Sequence, residues 1–429
     1  MDTSTIKIFQ VIIIFGLTYS AIIFDKIPRT LCALVGGGMM IYIGQISQDI
    51  AIKECIDFNT LGLLAGMMVL VSIVKRSGFF EALALWSVKR SKGQAKKLFV
   101  LLSIITGVCA ALIDSVTAAL LIAPMTISIC RMVKIDPFPL LISEVLMSNI
   151  GGTALMVGNP PNIMIGSASK LDFIQFFENL APVVMITMIV TILLILFIYR
   201  GSLTSTKLTQ NDLSAIQISS AIHDKGNLKR SLLVLGGTIL GFIMHDSFGL
   251  QSATIAMTGA VLGIVICKVD PEEAMKEIDL NTLLFFMGLF VLVGGVEATG
   301  IIEEVAKKSV KWVSGDTKTM TLLILVLSGL VSAFIDNIPF TATMIPLIQD
   351  IQSLLGVNVD YLWWSLSLGA CFGGNGTLIG ASPNVIIMEE AKKAGVQISF
   401  IKFMKICFPT MLLTLFVSGI YLWVRYFMK

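Results

Sequence analysis

The sequence is poor in charged residues and in histidine. Asp, Glu, Lys and Arg make up 14% of its 429 residues, whereas soluble domains average about 25%. A deficit of this size along the whole chain excludes a soluble enzyme and a disordered chain, and the formal net charge of +3 is too small for a nucleic-acid partner. With only two histidines, His223 and His245, the chain offers little for a zinc site.

Cysteine is also sparse, with seven residues and no CxxC spacing. Nearly all of them lie within or beside apolar stretches, which is typical of small core residues and not of metal or redox sites. The sequence contains no nucleophile–base pair, no metal-ligand spacing and no phosphate-binding loop. We therefore expect a protein that is not an enzyme and that holds no cofactor beyond a coupling ion.

Apolar residues dominate instead. They form 55% of the chain, and the mean hydropathy is +0.89. Continuous runs of about 20 apolar residues are long enough for helices that cross a bilayer, and they lack the alternation of barrel strands. The predicted fold class is an all-α polytopic membrane protein, with the lipid bilayer as its surroundings.

The basic residues predict the orientation in the membrane. Residues 75–97 carry seven Lys or Arg against one acid, Glu81, so this segment is expected in the cytoplasm. The polar linker 200–230 then also falls in the cytoplasm. The expected location is the cell membrane, inner or plasma, which the chain crosses several times.

Four apolar segments are unusual. Segments 97–131 and 319–349 carry Asp114 and Asp336 in their middles and are long enough to enter the membrane and return, which predicts two re-entrant hairpins. Segments 138–168 and 361–388 are interrupted by glycine, proline and asparagine, which predicts two broken helices.

The two halves of the chain repeat, because motifs recur 222 positions apart. Asp114 matches Asp336, and Gly151-Gly152 matches Gly373-Gly374. Each half, 1–199 and 231–429, contains five predicted crossings and one hairpin. An odd number of crossings turns the second half over, which predicts the inverted repeats of secondary transporters.

The two acids are the first candidate site residues. A carboxylate inside hydrocarbon costs several kcal/mol and is usually kept beside a cavity or a partner. Asp114, followed by Ser115, and Asp336, followed by Asn337, could each bind a cation or a proton. The alternative is that each acid caps the returning helix of its hairpin, which is compatible with ion binding.

The helix breaks supply the second set of candidates. Unwound backbone frees carbonyl oxygens for a hard cation, and Asn, Ser and Thr add neutral oxygens. The alternative is close helix packing through small residues. Glu144 is a candidate proton carrier, or else an interfacial residue. The remaining candidates in the breaks are Ser148, Asn149, Gly151, Thr153, Asn159, Asn162, Asn375, Thr377, Ser382 and Asn384.

At these motifs the sequence resembles the ArsB/NhaD branch of the ion transporter superfamily, and most of all bacterial relatives of the melanosomal P protein. The strings Ile335–Pro346 and Gly369–Ser382 carry the resemblance, together with Ser148–Asn162 in the first half. The resemblance implies a scaffold that forms a homodimer and a transport domain of two hairpins and two broken helices. It also implies elevator-like movement of that domain.

The resemblance further implies Na⁺ sites at Asp114 with Asn149 and at Asp336 with Asn375. We expect a secondary active transporter that uses Na⁺ or H⁺ and moves a small inorganic ion, by Na⁺/H⁺ exchange or cation-coupled anion transport. Dicarboxylate carriers of the superfamily have Ser-Asn-Thr at the hairpin tips, so the acids here favour a cation over a carboxylate. An arsenite efflux permease and a chloride channel are the alternatives.

Overall fold

The structure, a computed structural model, describes residues 3–24, 26–203, 218, 221–222, 224–245, 248–356 and 359–428. Over these residues it is helical, without a strand. Eighteen helices of ten or more residues fall into two sets of nine. The predicted linker 200–230 lies largely outside the described residues, which include only its ends and residues 218 and 221–222.

The first set occupies the N-terminal half of the chain. It comprises α1 (Thr3–Phe24), α2 (Arg29–Tyr42), α3 (Phe58–Arg76), α4 (Phe79–Ser91), α5 (Ala95–Leu112), α6 (Ser115–Val133), α7 (Phe138–Gly152), α8 (Pro160–Ser169) and α9 (Phe173–Ile198).

The second set occupies the C-terminal half. It comprises α10 (Lys225–Met244), α11 (Ser252–Cys267), α12 (Leu280–Glu297), α13 (Ile301–Trp312), α14 (Thr317–Ser332), α15 (Asn337–Leu355), α16 (Asp360–Gly373), α17 (Ser382–Lys393) and α18 (Phe400–Phe427).

The helix boundaries repeat as the sequence motifs do. Helix α6 begins at Ser115 and ends at Val133, and α15 begins at Asn337 and ends at Leu355, so both boundaries lie 222 positions apart. Every helix of the first set has a counterpart nine places later. The likeness of the halves is therefore a likeness of architecture as well as of motifs.

The chain crosses the membrane five times in each half. Among the described residues, eight helices are long and apolar enough to span a bilayer, including the hairpin helices α5 and α6, and α7, α11 and α14 are shorter apolar helices. In the first half, α1, α2, α3, the broken pair α7–α8 and α9 form the crossings, while α5 and α6 form the hairpin. The second half follows the same order with α10–α18. The predicted fold class of two inverted five-helix repeats, each with one hairpin, is confirmed.

Helices of the two halves pair across the molecule and form two bundles. In the scaffold bundle, α2 packs against α12 and its counterpart α11 packs against α3. In the hairpin bundle, α6 packs against α17 and its counterpart α15 packs against α8. The two bundles meet mainly where α3 contacts α8 and where α12 contacts α15.

Glycine allows the hairpin bundle to pack closely. A Cβ atom added to Gly151 of α7 would lie 2.1 Å from the carbonyl oxygen of Gly107 in α5. In the second half, a Cβ atom on Gly373 would lie 2.5 Å from the oxygen of Gly329. Each hairpin's first helix is thus in backbone contact with the broken helix of its own repeat, and this contact brings the hairpin tip to the break.

Candidate functional site

Each hairpin turns at its aspartate. The side chain of Asp114 accepts hydrogen bonds from the backbone N–H groups of Val116 at 2.7 Å and Thr117 at 3.0 Å, and so caps α6. The side chain of Asp336 accepts one from the N–H of Ile338 at 3.0 Å and caps α15. The helix-capping interpretation is therefore correct for both acids. A cap uses part of a carboxylate, and the rest stays available for a partner.

The hairpin tips touch the breaks of their own repeats. The Ser115 hydroxyl donates to Asn159 Oδ1 at 2.9 Å in the first half. In the second half, the Asn337 N–H donates to the Gly380 carbonyl oxygen at 3.2 Å, and the Thr377 hydroxyl donates to the Ala333 carbonyl oxygen. All three of these polar contacts join buried residues. The resemblance implied this proximity of tip and break, and the structure contains it twice.

One asparagine closes each break by binding unwound carbonyl oxygens. Asn162 Nδ2 donates to the carbonyl oxygens of Thr153 at 3.0 Å and Leu155 at 3.1 Å. Its counterpart Asn384 donates to those of Gly374 at 2.7 Å and Thr377 at 2.8 Å. The side-chain amides replace part of the helical hydrogen bonding that is lost at each break, and the carbonyl oxygens of Leu155 and Thr377 also accept turn hydrogen bonds from the N–H groups of Gly158 and Gly380.

The two breaks are joined to each other by an asparagine cluster. Asn149 Nδ2 donates to Asn375 Oδ1 and to Asn384 Oδ1, in each case at 2.9 Å. The three side chains are fully buried. Within the described part of the chain, Asn149 Oδ1 and Asn375 Nδ2 have no hydrogen-bond partner. A buried polar atom without a partner is costly, so these two atoms mark a place where a ligand would be stabilised.

Further polar side chains support the same breaks. The Ser367 hydroxyl donates to Asn162 Oδ1 at 2.6 Å, and the Thr153 hydroxyl donates to the Asn149 carbonyl oxygen at 2.8 Å. The Ser148 hydroxyl donates to the Val145 carbonyl oxygen at 2.9 Å within its own helix. Sequence reasoning missed Ser367, because its hydroxyl is one of several in an apolar helix.

Asp114 and Asn149 do not share a hydrogen bond, and neither do Asp336 and Asn375. The hydrogen bonds of Asn149 to other side chains go to the second repeat, whereas those of Asp114 go to its own helix. The pairing into two separate Na⁺ sites stays a prediction. The arrangement in the structure is one central cluster of amides with a carboxylate at either hairpin tip.

The two carboxylates have different surroundings. Arg29 Nη1 lies 2.8 Å from Asp336 Oδ2, and the Ser382 hydroxyl lies 3.3 Å from the same oxygen. Asp114 forms no ion pair with any residue that the structure describes. Arg29 was missed in the sequence, where it stands beside an apolar run. Its repeat counterpart is Gln251, and this difference in charge was the available signal.

Glu144 is buried in the hairpin bundle, away from both tips. The Thr126 hydroxyl of α6 donates to Glu144 Oε1, and Oε2 is buried with no partner among the described residues. The interfacial interpretation of Glu144 does not fit this burial. A buried carboxyl group with no cation beside it is suited to carry a proton.

Two crevices lie between the bundles. The Asp114 crevice, of about 580 Å³, is lined among others by Arg29, Ser72, Asp114, Thr117, Ser382 and Glu389. The Asp57 crevice, of about 810 Å³, is lined among others by Glu54, Asp57, Asn59, Ser167, Glu297 and Gln349.

The crevices lie at opposite ends of the same helices. Helix α3 begins at the Asp57 crevice and reaches Lys75 in the Asp114 crevice, while α12 runs in the opposite direction. Ser167 in one crevice and Glu389 in the other are repeat counterparts. Only the Asp114 crevice, in the part of the chain described, includes a hairpin aspartate. Asp114 is therefore accessible from the end of the molecule at which this crevice lies.

Comparison with known proteins agrees with this architecture. Two solved transporters are similar over nearly their whole length. The YdaH transporter of Alcanivorax borkumensis has a TM-score of 0.61 at 13% identity, covering 99% of this chain and 98% of that one. MtrF of Neisseria gonorrhoeae, described as illuminating a class of antimetabolite efflux pumps, has a TM-score of 0.64 at 13% identity, covering 98% and 94%. At such identity the likeness shows the fold alone.

The relatives found by sequence are more similar to this chain in sequence than these two structures are. A 46 kDa membrane protein of Mycobacterium leprae is 36% identical over 420 residues, which cover 97% of this chain and 98% of the relative. The mouse P protein is 30% identical over 487 residues, covering 94% of this chain and 58% of the P protein. The family described as "Citrate transporter", CitMHS, matches residues 19–369. The chain therefore belongs to the CitMHS family of membrane transporters and has the P protein among its relatives.

Proposed function

We propose that this protein is a secondary active ion transporter in which Asp114 binds the coupling cation, Na⁺ or H⁺. The observation that carries the proposal is the position of Asp114. Its carboxylate lies at a hairpin tip, lines a crevice between the bundles and pairs with no basic residue in the described part of the chain. An acid in this position is costly unless a cation or proton joins it.

The asparagine cluster supplies the neutral part of the proposed site. Among the described residues, no group donates to the buried Asn149 Oδ1, and the breaks at Thr153 and Thr377 hold unwound carbonyls that now accept side-chain amides. Neutral oxygens bind a hard cation weakly enough for it to leave again, as a transported or coupling ion must. Glu144 is proposed as a separate proton carrier within the same bundle.

Transport is proposed to occur by movement of the hairpin bundle past the scaffold bundle. The crevices at opposite ends of α3 and α12 give each end of the molecule its own access to the boundary. If residues 75–97 are cytoplasmic, the Asp114 crevice opens inward, because Lys75 lines it. We propose that the hairpin bundle carries its site between the two crevices, in a homodimer whose scaffold bundles stay fixed.

Transport by a variant of Asp114 in proteoliposomes tests this function. Asp114→Asn keeps a good helix cap but removes the charge, and we expect it to slow Na⁺- or H⁺-gradient-driven flux by about tenfold or more. Asp316→Asn is the matched control, because Asp316 caps α14 through the N–H groups of Lys318 and Thr319 in the same way. Parental flux in Asp114→Asn would refute the proposal.

A carboxylate substrate is the second candidate. The family description names citrate, and Arg29 places a guanidinium group in the Asp114 crevice, where it could bind a carboxylate. Proteoliposomes loaded in turn with Na⁺, Li⁺, arsenite, chloride and citrate separate the candidates. Saturable citrate uptake that needs a cation gradient would favour the second candidate. Flux of arsenite, or gradient-independent chloride currents, would favour the alternatives drawn from the sequence.

A further inference from the structure

The ion pair between Arg29 and Asp336 joins the two bundles. Arg29 is the first residue of α2, which packs in the scaffold bundle against α12. Asp336 is at the tip of the second hairpin, whose next residue is hydrogen-bonded to the break at Gly380. The side chains are 32% and 10% exposed, and Ser382 lies 3.3 Å from a charged atom of each. The pair is thus short, its carboxylate is largely removed from solvent, and it joins two bundles of one chain.

The repeat makes this pair asymmetric. At the position of Arg29 the second half has Gln251, and at the position of Asp336 the first half has Asp114. A pair formed by the other two counterparts, Gln251 and Asp114, would carry no positive charge. The two hairpin acids are therefore not equivalent sites, because one of them already has a cation that the chain itself supplies.

We propose that Arg29 is a tethered cation that occupies Asp336 in this conformation, so that a dissolved coupling cation reaches Asp336 only after the second hairpin has left α2. This proposal rests on the proposed function and adds a role for a residue outside the hairpin bundle. Arg29 then determines the conformation in which Asp336 takes up a cation and the conformation in which it releases one. It acts as a positioning residue, through Asp336.

The location of the two partners requires the pair to break during transport. One partner moves with the hairpin bundle and the other stays with the scaffold bundle. A shift of a few ångströms is enough to separate them, because an ion pair weakens quickly with distance and with entering water. The Tyr19 hydroxyl of α1, a scaffold helix that packs against α2 and α12, also contacts the second hairpin by donating to the Pro339 carbonyl oxygen at 2.7 Å.

Separation would leave the Asp336 carboxylate largely buried with no countercharge. That state is costly, and a proton or a metal cation relieves it. On return, Arg29 competes for the same oxygen and discharges the cation into the Asp114 crevice. The other charged groups that face this crevice are Lys75, Asp114, Glu277, Asp279 and Glu389.

Thermal unfolding of the full-length protein in nanodiscs tests the tethered cation without any measurement of flux. Arg29→Gln, which places the counterpart's residue at this position, is measured in choline chloride and then with NaCl replacing choline, and separately over a pH series. In choline chloride we expect this variant to have a lower unfolding midpoint than the parent. NaCl or acid should restore the midpoint, at a cation concentration about tenfold lower than the one at which the parent responds. Arg29→Lys keeps the charge and should behave as the parent does.

Two variants separate this role from simple docking of the bundles. Arg29→Gln/Asp336→Asn has no acid at the tip of the second hairpin, so NaCl or acid should restore nothing beyond the parental response. Tyr19→Phe weakens contact between the same bundles without a change of charge and should show no new cation response.

Restoration of Arg29→Gln by NaCl identifies a metal cation as the replacement, and restoration by acid alone identifies a proton. No response of Arg29→Gln to either, or an equal response in the double variant, would overturn the proposal. Because Asp114 is unchanged in all of these variants, failure here leaves the flux test of Asp114→Asn standing, and the reverse also holds.

Discussion

The side-chain amide of Asn149 in the first repeat donates to the amide oxygen of Asn384 in the second, 2.9 Å away. Asn384 in turn donates to two unwound carbonyl oxygens of its own break. The broken helix of one repeat thus depends on a side chain of the other. A change at this contact should affect both halves of the site at once.

We predict that Asn149→Ala destabilises the protein by about 1–3 kcal/mol, because it leaves two buried amide oxygens without their donor. Cation-dependent flux should fall as well, since the unpaired Asn149 Oδ1 is lost. Unfolding midpoints in nanodiscs and flux in proteoliposomes measure the two effects. Thr187→Ala is the control, because that buried hydroxyl bonds only to carbonyls of its own helix. Equal midpoints for both variants would contradict the structural role of Asn149.

The sequence predicted the parts of this site but not their assembly. Glycine, proline and asparagine interrupt apolar runs at Gly158 and Gly380, and such residues identify breaks locally. The 222-residue offset pairs Asn162 with Asn384 and therefore reveals equivalence between halves. It does not reveal contact between halves, and Asn149 aligns with Cys371, which gave no indication that it bonds to Asn384.

Arg29 shows the same limit for charge. A single arginine at the start of an apolar helix is usually an interfacial residue. Its ion pair with Asp336 spans 307 residues of sequence, and the pair depends on how two bundles pack. The inverted repeat was predictable because the same short sequence motifs occur in both halves of the chain. The inequality of Asp114 and Asp336 was not, because it arises from tertiary structure.

Replacement of Gly151 should be costly. We predict that Gly151→Ala loses about 1–3 kcal/mol of stability, since the added Cβ would overlap the Gly107 carbonyl oxygen and push α5 away from α7. Unfolding midpoints of the purified protein measure this loss. Gly38→Ala is the matched control: Gly38 also lies within a helix, but nothing is within 4 Å of its added Cβ, so alanine there should be neutral or stabilising. Equal losses in both variants would mean that the α5–α7 contact tolerates separation.

Glu144→Gln tests the proton carrier. Glutamine keeps an oxygen that can accept from Thr126, so the fold should remain, but the titrating group is removed. We predict that the pH dependence of flux becomes flatter, while the free energy of unfolding changes by less than about 1 kcal/mol. Glu304→Gln, at an exposed position of α13, should keep the parental pH profile. An unchanged profile in Glu144→Gln would assign Glu144 a packing role only.

Cys55 reports on the Asp57 crevice and on orientation. Six of the seven cysteines are buried, whereas Cys55, in the short segment between α2 and α3, is partly exposed and lines this crevice. If residues 75–97 are cytoplasmic, a membrane-impermeant maleimide should label the parent from the outside of intact cells, and Cys55→Ser should not be labelled. Labelling only in inside-out vesicles would reverse the predicted orientation.

The rate of that labelling should depend on pH in a defined direction. Burial, followed by the negative charges of Glu297 and Glu54, raises the pKa of the Cys55 thiol above its ordinary value. Because the thiolate is the reactive form, labelling should be slow near neutral pH and should accelerate at alkaline pH beyond the range of a free thiol. Glu297→Gln removes one of the two negative charges, so we predict that Cys55 is labelled faster at a given pH. An unchanged rate of Cys55 labelling in this variant would exclude Glu297 as an electrostatic neighbour of the thiol.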